Sequence, residues 1–255
     1  MRLCVLASGS SGNCIYVETA ETAILIDAGL SAKETFRRMD LMGLCPSRLC
    51  AICITHEHTD HTAGAARLRK LLDIPLYATS ACAQAVRGTL AGDWICITNG
   101  SPFRIGDIEL QAFTLPHDAY DPVGFILICE GIRIGIATDL GMPTQLVRER
   151  LRGCHLLILE ANHDEELVRS SRRPWHLKQR ILGIQGHLSN TAAASLLAEI
   201  AGNTLQDVFL AHLSSECNRL DLALHTIRNH LLNAGLERVQ VHPTHQDRPS
   251  IIKII

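Results

Sequence analysis

Apolar and polar positions divide this chain into short strand-like runs, set between stretches with helical spacing. Residues 2–7 alternate as a strand. Further apolar runs predict strands at 14–17, 23–29, 49–54, 75–78, 94–98, 108–115, 123–129, 132–137, 155–159, 207–212, 238–242 and 250–254. The pair at 123–129 and 132–137 reads as a hairpin turning at Glu130-Gly131. Ser31-Ala32-Lys33-Glu34 has the form of a capping box and predicts a helix to about Met42. Other helices are expected from Ala65 to Leu72, Thr79 to about Gly88, Pro143 to Leu151, Ala192 to Ala201 and Arg219 to Leu232. Strands dominate both halves, and no repeat, low-complexity tract or linker interrupts them. The pattern predicts one domain over residues 1–255, with two facing sheets covered on the outside by helices.

Composition adds little to this picture. At 255 residues the chain can bury a large core, and 47% apolar with 20% charged residues is ordinary for a globular protein. Lys plus Arg (24) nearly balance Asp plus Glu (26), so a nucleic-acid partner would need a local basic surface. The start, Met1 to Ala7, is cut short by the Gly/Ser run 8–12 before it could serve as a signal h-region, and no apolar stretch approaches the length of a membrane span. The cytoplasm is the expected address. Ten cysteines are dispersed through apolar runs such as Ile95-Cys96-Ile97 and read as reduced core thiols. Cys50 and Cys53 have C-x-x-C spacing, but on a strand they face opposite ways.

The chemistry is concentrated at the ends of strands. After the run 49–54 comes Thr55-His56-Glu57-His58-Thr59-Asp60-His61-Thr62, which places four potential metal ligands at a strand-to-helix turn. In an extended loop His56 and His58 point the same way and could hold one ion, with Asp60 and His61 reaching a second; Glu57 points away. His117 follows another strand, where a third ligand for the first ion is needed. Asp139, also at a strand end, has two oxygens and suits a bridge between two cations. His212 ends the run 207–212 and completes the candidate ligands. Asp27 is either a capping or ion-paired residue or a carboxylate that orients a ligating imidazole. His187 precedes a helix that Ser189 or Asn190 should cap, so it lies at the helix's positive end. His242 and His245 read as loop histidines. The loop from Ser8 to Asn13 is either a plain turn or a source of N–H groups for an anion. Arg169 to Arg180, the most basic passage, is either a solvated helix face or a seat for a phosphate backbone beside Trp175.

His56, His58, Asp60 and His61 spell the H-x-H-x-D-H signature, and with Asp27, His117, Asp139 and His212 in order they resemble the motif set of the metallo-β-lactamase superfamily. The resemblance covers nearly the whole chain. It implies an α/β fold, a four-layer αβ/βα sandwich of two mixed β-sheets flanked by helices, with the metals at one edge of both sheets. Asp139 stands where the classical β-lactamases commonly use cysteine. Gly186-His187-Leu188-Ser189 and Ala211-His212-Leu213-Ser214 are similar to late motifs of tRNase Z-type phosphodiesterases. The runs 6–13, 160–164, 177–181 and 186–190 look like the YycJ/WalJ branch, whose members are described as intracellular 5′ DNA exonucleases.

The expected activity is hydrolysis of a phosphodiester, DNA rather than RNA, by two divalent ions about 3.5–4 Å apart sharing a nucleophilic hydroxide. His56, His58 and His117 would hold the first ion, Asp60, His61 and His212 the second, and Asp139 both. Zinc suits this donor set best, with manganese, iron or nickel open. Asp60 would also orient the hydroxide, and His187 would protonate the leaving oxygen or stabilise phosphoryl charge. Ser8, Ser10, Asn13, His163, Arg173, Lys178 and Arg180 are candidate substrate contacts. The rival readings are an esterase, thioesterase or lactonase acting on an acyl group, and a non-catalytic metal or nucleic-acid binding module.

Overall fold

The computed structural model describes residues 1–86 and 91–255. One seven-stranded sheet contains β1 (Arg2–Ala7), β2 (Cys14–Glu18), β3 (Ala23–Ile26), β4 (Leu49–Cys53), β5 (Leu76–Thr79) and β6 (Trp94–Ile97) in chain order, with the final strand beside β1. A second contains β7 (Pro102–Ile105), β8 (Ile108–Thr114), β9 (Val123–Cys129), β10 (Ile132–Ala137), β11 (Leu156–Glu160), β12 (Asp207–Ala211) and β13 (Gln240–Pro243), again in order. The last strand of the chain, β14 (Lys253–Ile254), is the one that returns to pair antiparallel with β1.

In each sheet a run of antiparallel pairs gives way to parallel ones: β3-β4-β5-β6 in the first and β10-β11-β12-β13 in the second. Parallel pairing sends the carboxyl ends of these strands to one edge, where open α/β sheets bind their ligands. Strand periodicity divides each strand between two hydrophobic layers. Leu3, Val5, Ile24 and Ile26 meet Phe125, Ile134, Ile158 and Phe209 between the sheets. Cys4, Leu6, Tyr16 and Leu25 face outward onto α1 (Ala32–Leu41), α3 (Ala65–Leu72) and α4 (Ser80–Ala85). On the far side α5 (Gln145–Leu151), α8 (Asn190–Ile200) and α9 (Leu220–Asn233) cover the second sheet. Strands buried on both faces read as continuous apolar runs, which is why the alternation in the sequence is weak. The result is the expected four layers of helix, sheet, sheet and helix. Among the described residues no helix is long and apolar enough to cross a membrane.

Several expectations need correction. The hairpin partner of β8, Pro102–Ile105, was not expected as a strand; it opens on a proline, which cannot donate to a ladder, and it lies at the sheet edge. β6 is likewise an edge strand, so Cys96 is exposed rather than a core thiol. All ten cysteines are free, and Cys50 is exposed while Cys53 is buried. The carboxyl-terminal strands are shorter than expected, Gln240–Pro243 and Lys253–Ile254. The helix expected from Thr79 to about Gly88 is observed as α4, and its expected end lies outside the described residues.

Candidate metal centre

The turn after β4 is not extended throughout. Thr59–Thr62 forms one helical turn, α2, with His58 at its N-cap position and no side-chain cap bond there. His58 Nδ1 is therefore left to face His56 Nε2 at 3.1 Å and His117 Nε2 at 3.4 Å. The same turn brings His61 round beside Asp60, with His61 Nε2 3.5 Å from Asp60 Oδ2. This geometry requires Gly29: a Cβ there would lie 1.7 Å from the carbonyl oxygen of Asp60. The backbones of these segments touch directly, with Asn13 N donating to Asp60 O and Ala28 N to His61 O.

Asp27, Asp139 and His212 each follow a strand and adopt left-handed backbone, with φ of 62°, 58° and 55°. Such conformations cost roughly 1–2 kcal/mol per residue and persist where the surrounding structure enforces them. Here they turn three polar side chains at strand ends toward one point.

Four imidazoles share one arrangement: Nδ1 is anchored by the protein and Nε2 faces the centre. His61 Nδ1 donates to Asp27 Oδ2 at 2.7 Å. His56 Nδ1 meets Thr55 Oγ1 at 3.0 Å, and that hydroxyl is in turn held by Asp27. His117 Nδ1 donates to the carbonyl of Gly186 at 3.0 Å. His212 Nδ1 lies 3.0 Å from Glu160 Oε1. Metal-ligating histidines are characteristically oriented in this way. Asp139 lies between the groups, with Oδ2 3.1 Å from His61 Nε2 and Oδ1 3.2 Å from His212 Nδ1. Donor atoms fall within 4.8 Å of one another in the sets His56/His58/His117, His56/His61/Asp139, Asp60/His61/His212 and Asp139/Glu160/His187/His212.

The residues fit divalent cations. His212 Nε2 and Asp139 Oδ2 are buried and make no well-formed hydrogen bond, their neighbours being Asp60 Oδ2 at 3.5 Å and His61 Nε2 at 3.1 Å, a state that costs about 1–3 kcal/mol per group unless something else satisfies it. Three imidazole nitrogens at hydrogen-bond distance cannot all be paired by the protons they carry. Burial, reinforced by the charge of His61, holds His56 well below its usual pKa, and burial also lowers His117. Both are therefore neutral, the form that ligates. Burial opposes charge on His61 and His212 as well, but Asp27 and Asp139 raise His61 well above its ordinary value. Asp139, with Asp60 and Glu160, raises His212 to about 10.

One residue at this edge had no assigned part in the sequence reading. Glu160 is fully buried at the end of β11. Its Oε2 accepts from Leu140 N (2.8 Å) and Leu188 N (3.1 Å), while Oε1 meets His187 Nδ1 at 2.8 Å as well as His212. Burial favours its neutral form, but His187 and His212 overcome this and hold it at about 2. Two backbone donors fix the carboxylate as an anchor for the imidazoles. The signal that could have found it is the one that found Asp27 and Asp139: an acid directly after an apolar strand. In return Glu160 raises the pKa of His187 against the opposing effect of burial.

The centre opens into a cleft of about 240 Å³ whose walls include His58, Asp60, His117, Asp139, His187 and His212, together with Ser10, Arg173 and Arg180. The remaining expected substrate contacts do not line it. Ser8 Oγ accepts from His212 N at 2.7 Å. Asn13 Nδ2 lies against two of the candidate donor atoms, His61 Nε2 and Asp60 Oδ2. His163 is buried beside α8, bridged to Ser189. Lys178 Nζ donates to the carbonyl of Arg169 at 2.6 Å, tying α6 (Glu165–Ser170) to α7 (Trp175–Leu182). Ser8 and Asn13 thus brace the centre, and Lys178 braces its rim.

Comparison with known proteins agrees with this geometry. The family model described as the beta-lactamase superfamily domain matches residues 22–212. The exodeoxyribonuclease YycJ of Bacillus anthracis is 33% identical over 258 residues, covering 98% of each chain. The exodeoxyribonuclease WalJ of Streptococcus pneumoniae is 35% identical over 238 residues, 91% of this chain and 88% of that one. Zinc-bound PqqB of Methylobacterium extorquens, 17% identical, has the same fold over 100% of both chains with a TM-score of 0.74.

Proposed function

This chain belongs to the metallo-β-lactamase superfamily, and from that premise we propose that it is a divalent-metal-dependent phosphodiesterase, a cytoplasmic exonuclease that degrades DNA from its 5′ end, with residues 1–255 acting as one catalytic domain. The observation that supports the reading is the convergence of buried donors without well-formed hydrogen bonds, His212 Nε2 and Asp139 Oδ2, on the edge where His56, His58 and His117 also meet. His56, His58 and His117 would hold one ion, Asp60, His61 and His212 a second, and Asp139 would lie between. A donor set rich in imidazole suits zinc best. Bound there, the ions supply Lewis acidity toward phosphoryl oxygens and a nucleophile at neutral pH.

The chain's own side chains perform the remaining steps. Asp60, on the cleft wall, would orient the attacking water. Burial disfavours charge on His187, but Glu160 facing Nδ1 outweighs it and favours the protonated imidazole. Its Nε2–H is then available to protonate the leaving oxygen or to stabilise a phosphoryl oxygen. Ser10, Arg173 and Arg180 offer donors to phosphate. Two guanidinium groups on the cleft wall favour a phosphodiester over an acyl substrate, which would call for an apolar pocket. The intact donor set favours a catalyst over a silent binding module.

The test is hydrolysis of end-labelled single- and double-stranded DNA and RNA, with zinc, manganese, iron and nickel supplied in turn. Stepwise release of nucleotides from the 5′ end of DNA supports the assignment. Turnover of a thioester or lactone with no phosphodiester cleaved would replace it with the acyl reading.

A further inference from the structure

α7 contributes Leu177, Arg180 and Ile181 to the wall of the cleft, and none of its residues is buried. Packing therefore does little to hold it. Besides the Lys178 bond to the Arg169 carbonyl, ion pairs from Arg173, just before the helix, and from Arg180 within it hold the segment. Arg173 Nε meets Glu216 Oε2 at 3.0 Å, and Arg180 Nε meets Asp118 Oδ2. The two carboxylates come from loops that directly follow candidate ligands, Asp118 next to His117 and Glu216 four residues beyond His212. The segment thus bridges the two loops, and Arg173, Leu177, Arg180 and Ile181 form the stripe that lines the cleft. Trp175 and His176 are exposed and absent from that wall.

Each arginine contacts its carboxylate through Nε. A guanidinium has five N–H donors, so Nη donors remain for a second oxyanion. The positions lie on the order of 10 Å apart along the segment. Phosphates in one stacked strand recur about every 3.4 Å, so the two groups are spaced to reach phosphates on either side of a scissile bond. A small diester offers only the phosphate being cleaved.

We propose that Arg173 and Arg180 form a two-point grip on the backbone phosphates flanking the scissile bond, which makes this chain selective for a polynucleotide strand over a small or cyclic phosphodiester. The grip rests on the nucleolytic reading above and adds a substrate class to it. Glu216 and Asp118 hold the guanidinium groups in place before the strand enters, so little side-chain entropy is lost on binding.

The test compares kcat/KM of the metal-loaded enzyme on a single-stranded DNA oligonucleotide and on bis-p-nitrophenyl phosphate, for wild type, Arg173→Ala, Arg180→Ala, the double variant and Glu216→Gln. Fluorescence anisotropy of a labelled phosphorothioate oligonucleotide, titrated with salt, reports binding without turnover. The double variant is expected to lose at least about tenfold more on the oligonucleotide than on the small diester, and its salt dependence of binding should flatten by about 0.7 in log–log slope per arginine removed. Glu216→Gln removes the charge that holds Arg173 but keeps the guanidinium, and should lower oligonucleotide turnover by less than Arg173→Ala does. Equal losses on both substrates, an unchanged salt slope, or a loss in Glu216→Gln as large as in Arg173→Ala would overturn the grip. A wild-type enzyme that cleaves the small diester but no oligonucleotide would instead overturn the nucleolytic reading on which the grip rests.

Discussion

Glu160 Oε1 lies 2.8 Å from His187 Nδ1, and this contact determines which nitrogen of His187 is free to face the cleft. The carboxylate cannot rotate away, because Leu140 N and Leu188 N hold its other oxygen. Replacing Glu160 by Gln keeps the shape and removes the charge. At saturating zinc, kcat on a phosphodiester should fall about 10- to 100-fold, as for other groups that orient catalytic or ligating imidazoles, with KM nearly unchanged. His187→Ala should lower kcat by about 100-fold and leave the metal content intact. Steady-state kinetics with metal analysis of the same preparations check both. Unchanged kcat in either variant removes that residue from the reaction.

Gly29 tests the packing that shapes the ligand turn. A methyl group at this position meets the Asp60 carbonyl at 1.7 Å, and backbone on both sides leaves no flexible side chain to yield. Gly29→Ala should cost about 1–3 kcal/mol, a fall in Tm of roughly 5 °C for a chain of this size, and should weaken zinc binding through displacement of Asp60. Calorimetry of the metal-free protein and a zinc titration measure the two effects. A wild-type Tm would show that the turn can move aside.

The acid limb of stability should depend on Glu34. Its carboxylate is bonded by Arg37 and Arg38, which outweigh partial burial and hold its pKa at about 2, below the usual 4.5. A depressed carboxyl pKa contributes stability above the unfolded value, and that contribution is lost as pH falls from about 4.5 toward 2. Arg38 in turn donates to Leu6 O and Gln246 O, and Gln246 holds Ser11 N in the loop beside the cleft. Glu34→Gln should cost about 0.5–1 kcal/mol near neutral pH, the range of a partly exposed ion pair. The difference from wild type should vanish near pH 2. Urea unfolding at a series of pH values provides the measurement, and a difference that persists at low pH contradicts the assignment.

The layers and most strands were legible in the sequence because both faces of each sheet are buried and the apolar runs stand out between polar turns. The candidate donors were legible because they follow those runs directly. The edge strand Pro102–Ile105 was not, since its outward positions are exposed and its first residue is proline. The helical turn Thr59–Thr62 was hidden because one turn carries no periodicity. The left-handed backbone at Asp27, Asp139 and His212 is set by tertiary contacts, so no local signal announces it. For the same reason Ser8 and Lys178 read as candidate substrate contacts: a polar residue type does not reveal whether its hydroxyl meets a backbone amide or its ammonium a carbonyl.

Everything depends on two cations sharing this edge. Anomalous scattering from zinc-loaded crystals, recorded on both sides of the zinc edge, tests this most directly. The account predicts two peaks per chain, one among His56, His58 and His117 and the other among Asp60, His61 and His212, with Asp139 touching both and Asp139→Ala abolishing at least one. A single peak, or ions bound away from these side chains, would contradict it.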